Sequence, residues 1–114
     1  LEVDLTGAIN LGTRAGRRIS SVGGAPDYMR GAASSRGGRS ILAFPSTART
    51  ASRIVARLDP AAISIPAALA DTIITEHGAA RIRRLSGDAR ANALIAIAAP
   101  DHRAALSDAW RARS

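Results

Sequence analysis

The sequence predicts an α/β fold, a mixed sheet backed by helices and ending in a helical C-terminal part. Three observations carry this. Short segments with the two-residue alternation of strands fill the first two thirds of the chain. Gly, Pro and Asp punctuate them at short intervals. After Gly78 the apolar residues change to helical spacing. The 114 residues are read as one domain, 1–114, because a chain of this length supports one hydrophobic core.

Each element follows from local chemistry. Val3 to Asn10 alternates apolar and polar residues and predicts a strand, followed by a turn over Gly12 to Gly16. Arg18 to Val22 predicts a second strand, broken by Gly23-Gly24. Pro26 and Asp27 suit a helix start, with a short helix over Tyr28 to Ser35 ended by Gly37-Gly38. Arg39 to Phe44 is a third strand that Pro45 stops. Ser46 to Ala51 reads as loop, Ser52 to Leu58 as strand and Asp59-Pro60 as turn. Ile63 to Ile65 is short and extended. Thr72 to Thr75 is the best candidate for a buried central strand. Ala79 to Leu85 is expected to begin a helical turn. Ser86 to Asp88 offers an N-cap for a helix over Ala89 to Ala99, with Leu94, Ile97 and Ala98 on one face. Pro100-Asp101 opens a last helix to Arg113, with Leu106 and Trp110 four residues apart.

Composition excludes several classes of function. There is no cysteine, hence no disulfide and no thiolate metal site. The two histidines, His77 and His102, lie too far apart to make a metal site expected. Aromatics are 3% of the chain, namely Tyr28, Phe44 and Trp110, too few for a base-stacking platform, so no specific nucleic acid is expected. No apolar run has the length of a membrane span and no secretory signal is visible, so no membrane partner is expected and the cytoplasm is the expected location. Net charge is +7, and all 16 basic residues are arginine. They are scattered, with Arg81, Arg83 and Arg84 the densest group, which reads as a solvated face. A positive domain still attracts anions, phosphates and acidic metabolites.

Two places can carry chemistry. Gly23-Gly24 lies between a predicted strand and a predicted helix. A glycine pair there permits a sharp turn and frees amide N–H groups to hold a phosphate or an oxyanion. Glu76 ends the predicted central strand, where α/β sheets commonly bind ligands, and is placed to orient a substrate or act as a base. His77 beside it reads as a polar loop residue, His102 as solvent-facing, and Ser46-Thr47 as a loop cap with hydroxyls to spare. No nucleophile elbow, Walker loop or dinucleotide fingerprint is present.

Six stretches in order resemble the C-terminal region of the acetyl-CoA hydrolase/CoA-transferase family, of the 4-hydroxybutyrate and succinyl-CoA:acetate CoA-transferase type. They are Leu1–Asn10 (LEVDLTGAIN), Val22–Arg36 (VGGAPDYMRGAASSR), Gly37–Ala48 (GGRSILAFPSTA), Ser52–Pro60 (SRIVARLDP), Thr75–Arg83 (TEHGAARIR) and Ala91–Leu106 (ANALIAIAAPDHRAAL). The resemblance implies a CoA-transferase-type α/β domain. It implies active-site contacts to coenzyme A and the acyl thioester from Gly23, Gly24 and Asp27, a substrate-pocket role for Glu76, and a place near substrate for Asn10.

The family reaction moves CoA from an acyl-CoA to a carboxylic acid through a glutamyl thioester, so coenzyme A is substrate and no cofactor is expected. The nucleophilic glutamate lies upstream of the LEVDLTG motif, so no catalytic residue is expected in this chain. A missing N-terminal domain or partner subunit is. The chain departs from the family pattern in three places. His77 follows Glu76 where an aromatic or glutamine is usual, Arg49-Thr50-Ala51 lacks the usual glycines, and Ile65–Ala68 lacks a common arginine before Asp71. The alternative is a non-catalytic anion- or CoA-binding module, or a truncated paralogue partnering a full-length transferase, with self-association into a homo-oligomer through surface that a partner domain would cover.

Overall fold

The computed structural model describes residues 1–11, 13–14, 17–18 and 41–113, the two middle pieces as backbone only. The expected helix over 28–35 and the glycine turn at 23–24 lie outside the described residues.

The opening segment is not one strand but a hairpin. β1 (Glu2–Asp4) pairs antiparallel with β2 (Ile9–Asn10), Glu2 facing Asn10 and Val3 facing Ile9. Alternation alone does not show where a chain doubles back. The fold-back is set by Asp4, which is buried and accepts from the N–H of Thr6 (2.9 Å), the hydroxyl of Thr6 (2.6 Å) and the N–H of Ala8 (3.1 Å). Its second oxygen accepts from the N–H of Leu58 (3.0 Å), tying the hairpin to a segment 54 residues away. Gly7 takes φ +94°, which its missing Cβ permits.

β3 (Thr13–Arg14) and β4 (Arg17–Arg18) pair antiparallel, so strand occupies part of the expected Gly12–Gly16 turn. β5 (Ile41–Ala43) lies within the expected Arg39–Phe44 strand. The expected loop after it is another hairpin, β6 (Thr47–Ala48) with β7 (Ala51–Ser52). Arg49 at its tip takes φ +57°, a conformation that sequence reading expects of glycine or asparagine. Of the expected 52–58 strand, Ser52 ends β7 and Ile54–Val55 form β8, which runs parallel to β1. Ile65 makes an isolated bridge to Ile9.

β9 (Thr72–Thr75) is central, as expected, with β10 (Gly78–Arg81) antiparallel on one side and β5 parallel on the other. β10 replaces the helical turn expected after Ala79. Its alanines are good helix formers, but register with β9 overrides that preference. The other described three-stranded sheet has the order β2-β1-β8. Both are mixed.

Two helices close the chain. α1 (Gly87–Ala96) begins after Ser86, which occupies the N-cap position without making the side-chain cap bond expected of it. α2 (Pro100–Arg111) starts at Pro100, whose missing N–H costs nothing at a helix start. α1 packs against β10 and α2. Leu94, Ile97, Ala98 and Leu106 join Val3, Leu5, Ile9, Ile54, Ile73 and Ile82 in one buried cluster, so the sheet is backed by helices. Each fully buried Leu or Ile contributes about 1.5–3 kcal/mol.

Candidate functional site

The site grows from the end of β9. Thr72, Ile73, Ile74 and Thr75 are all β-branched, which stiffens an extended chain. The strand turns back through Glu76-His77, with Thr75 paired to Gly78. Gly78, the first residue of β10, takes φ +140°, which its missing Cβ permits. Thr75 pins the turn from below. Its hydroxyl donates to the carbonyl of Ile97 (2.6 Å) and accepts from the N–H of His77 (3.1 Å). The Glu76 backbone is therefore fixed to the end of α1, while its side chain is exposed.

The neighbouring strand supplies its partner. Phe44 N–H still bonds to Ile74 O (3.0 Å), extending the parallel β5–β9 register. Pro45 has no N–H, so the ladder stops there. The next free donor, the Ser46 N–H, reaches Oε1 of Glu76 at 2.7 Å. This bond, followed by the Glu76 amide, holds the Glu76 carboxyl below its ordinary 4.5. Desolvation opposes the shift, and the Ser46 side chain and the neighbouring His77 assist it. The Ser46 hydroxyl is buried and has no hydrogen-bond partner among the described residues. We therefore assign the main effect to the amide.

Among the described residues, Ala43, Phe44, Pro45, Ile74, Thr75 and Glu76 line an open depression of about 400 Å³. Thr75 has committed its hydroxyl, so Glu76 is the polar side chain that this depression offers. The arrangement presents a charged acceptor at the rim of an apolar surface.

The other singled-out residues are placed elsewhere. Asn10 is buried on β2 and donates from Nδ2 to Glu2 Oε1 (3.2 Å), its cross-strand neighbour. It belongs to the β2-β1-β8 sheet and is not among the described residues lining the depression at Glu76. Gly23, Gly24 and Asp27 lie outside the described residues. His102, expected to face solvent, is partly exposed, with Nε2 2.9 Å from Thr50 O at the β6–β7 tip. Arg81, Arg83 and Arg84 are exposed as expected, and Arg83 lies 3.8 Å from Asp71. Sequence reading singled out the hydroxyl of Ser46 and missed its amide. The signal was the proline before it, which ends a parallel ladder, but the register that brings Ser46 to Glu76 is a tertiary fact.

Among the described residues no group of three or more His, Asp or Glu side chains is placed to hold a metal ion. No described helix is long and apolar enough to cross a membrane.

The comparisons place this mixed α/β framework among CoA-transferase domains. Residues 1–110 match the family model of the acetyl-CoA hydrolase/transferase C-terminal domain, and the chain belongs to that family. It is 39% identical over 116 residues to the 4-hydroxybutyrate coenzyme A transferase of Clostridium kluyveri, an alignment covering 99% of this chain and 27% of the relative. It superposes on the crystal structure of RipA from Yersinia pestis with a TM-score of 0.88 at 43% identity, covering 97% of this chain and 26% of that one. The 4-hydroxybutyrate CoA-transferase of Porphyromonas gingivalis matches with a TM-score of 0.74 at 41% identity, covering 100% and 25%. The chain thus spans about a quarter of the length of these relatives.

Proposed function

We propose that this chain supplies part of the substrate site of an enzyme moving CoA between an acyl-CoA thioester and a carboxylic acid, or hydrolysing acyl-CoA. One observation carries the site: the Glu76 carboxylate, held charged by the Ser46 amide at the rim of an open depression, in a chain of CoA-transferase family and fold. In this reading Glu76 orients substrate and does not attack it.

The chemistry needs a carboxylate nucleophile, which attacks the thioester carbonyl and expels CoA thiolate. A mixed anhydride results. The thiolate returns to give a glutamyl-CoA thioester, from which a second acid takes CoA. We assign the nucleophile to a glutamate upstream of the LEVDLTG motif. Backbone amides must stabilise the oxyanion that develops at the thioester carbonyl. We assign that task to the Gly23-Gly24 turn, with Asp27 beside it and Asn10 near the substrate. Coenzyme A is substrate here, no resident cofactor is involved, and the cytoplasm, where acyl-CoA is made and used, is the setting.

Incubation of the isolated chain with acyl-CoA and a carboxylic acid tests the assignment. The chain is expected to bind CoA weakly and transfer none. Turnover that disappears in Glu76→Gln contradicts it, because Glu76 would then be the nucleophile.

A further inference from the structure

A groove of about 580 Å³ lies between the end of α2 and the segment after β8. It is at the other end of α1 from Glu76. Thr75, beside Glu76, is bonded to Ile97, the residue after the last turn of α1. Trp110, which lines the groove, donates from Nε1 to Asp88 (2.8 Å) in the first turn of the same helix. The ten residues of α1 separate these ends by about 15 Å. No described residue lines both the groove and the Glu76 depression.

The volume is in the range of small-molecule sites, and the walls have their usual chemistry, apolar and aromatic with few polar groups. Leu58, Pro60 and Ile63 come from the segment after β8, and Trp110 comes from α2. Ile63 is 37% exposed, so a large apolar surface there stands in water. The polar groups of the floor are engaged: Asp4 accepts from the Thr6 hydroxyl (2.6 Å) and the Leu58 N–H (3.0 Å). Arg113 stacks on Trp110, with Cζ 3.8 Å from the ring centroid, and is bonded to Trp110 O (2.6 Å) and Asp88 (3.2 Å). Arg57 lines the same groove and is exposed. Its guanidinium is a fork of donors that matches a carboxylate.

We propose that this groove is a second ligand site, taking a carboxylate with an apolar chain. The chain covers Ile63, Leu58 and Trp110, and the head pairs with Arg57. A single negative charge fits better than the double charge of a phosphate, because three carboxylates stand close by. Asp4 lines the groove, Asp59 lies between Leu58 and Pro60, and Asp88 is bonded to Trp110 and Arg113. A second copy of this chain, with the same net charge of +7, is the poorer match. The inference goes beyond the CoA-transfer reading and does not rest on it.

Trp110 is the chain's only tryptophan, so its fluorescence reports on the groove. The test titrates the full 114-residue chain with octanoate, octanol, octylammonium and butyrate in separate series. Octanoate is expected to shift the emission to shorter wavelength, saturably, with a Kd of about 1 mM. Butyrate, four methylenes shorter, is expected to bind more than about tenfold more weakly. Arg57→Gln is expected to raise the octanoate Kd about tenfold, the loss of one hydrogen bond between charged groups. Ile63→Ser is expected to raise it about fivefold. Both side chains are exposed, so both variants are expected to keep the native far-UV circular dichroism.

Octanol or octylammonium binding as tightly as octanoate overturns the proposal. So does an unmoved Trp110 emission, or an octanoate Kd unchanged in Arg57→Gln. Coenzyme A displacing octanoate also overturns it, because the groove would then belong to the coenzyme A site. Coenzyme A binding without displacing octanoate supports two separate sites.

Discussion

A methyl group on Gly7 would lie 2.9 Å from Nη1 of Arg90, a side chain that joins three segments, at Thr6, at Ala67 and at Ile82 and Leu85. The Arg90 guanidinium donates to the carbonyls of Leu85 (2.8 Å), Thr6 (3.0 Å), Ala67 (3.2 Å) and Ile82 (2.7 Å). Burial lowers its pKa, and among the described residues its partners are backbone carbonyls, whose dipoles hold the charge. Arg90 cannot retreat from Gly7 without breaking that set. Gly7→Ala also forces a Cβ into φ +94°. It is expected to destabilise the fold by about 2 kcal/mol. Arg90→Met keeps the stem and removes the donors, and is expected to cost about 2–4 kcal/mol. Urea unfolding measures both.

Asp4 is the corresponding acceptor. Its carboxylate is 2% exposed and satisfies three backbone N–H groups and one hydroxyl. Asp4→Ala leaves the amides of Ala8 and Leu58 buried without a partner, each at about 1–3 kcal/mol. A loss of about 3 kcal/mol is expected in the same measurement, and Asp4→Asn is expected to recover part of it.

Arg49 holds φ +57° at the tip of the β6–β7 hairpin, where glycine carries no steric penalty. Arg49→Gly is expected to raise stability by about 1 kcal/mol, the left-handed strain less the backbone entropy that glycine loses. A rise in thermal midpoint by calorimetry checks it. The Thr50–His102 contact at the same tip is expected to survive, because it uses the Thr50 carbonyl.

The lowered pKa of Glu76 has a defined sign. A carboxyl depressed in the folded state contributes stability that is present above its unfolded value near 4.5 and is lost as pH falls through the folded value. ¹³C titration of the Glu76 carboxyl is expected to give a midpoint below 4.5, with the Ser46 amide signal following the same curve. A midpoint above 4.5 contradicts the Ser46–Glu76 bond.

The legible parts of the fold were those where one local signal dominates. Four β-branched residues at 72–75 gave a central strand, and Pro100 marked a helix start. Glu76 was legible as a candidate because it directly follows that strand. The misread parts were those where tertiary contacts set the local shape. Asp4 folds Val3–Asn10 into a hairpin through bonds of which one comes from Leu58. Ala79 and Ala80 are strand because β9 pairs with them, although alanine favours helix. Arg49 adopts a glycine-like φ inside a hairpin that no residue preference announces. Ser46 meets Glu76 through a parallel register between segments thirty residues apart, which no periodicity within either segment reveals.

The central claim is that this chain carries a shaped site for coenzyme A, and calorimetric titration of coenzyme A at low and high salt tests it most directly. The account predicts binding that weakens only modestly with salt and is abolished by Gly24→Val, a substitution in the turn proposed to meet the ligand. Binding that falls steeply with salt and is unaffected by Gly24→Val would contradict it, and would make the chain a positively charged anion-binding module.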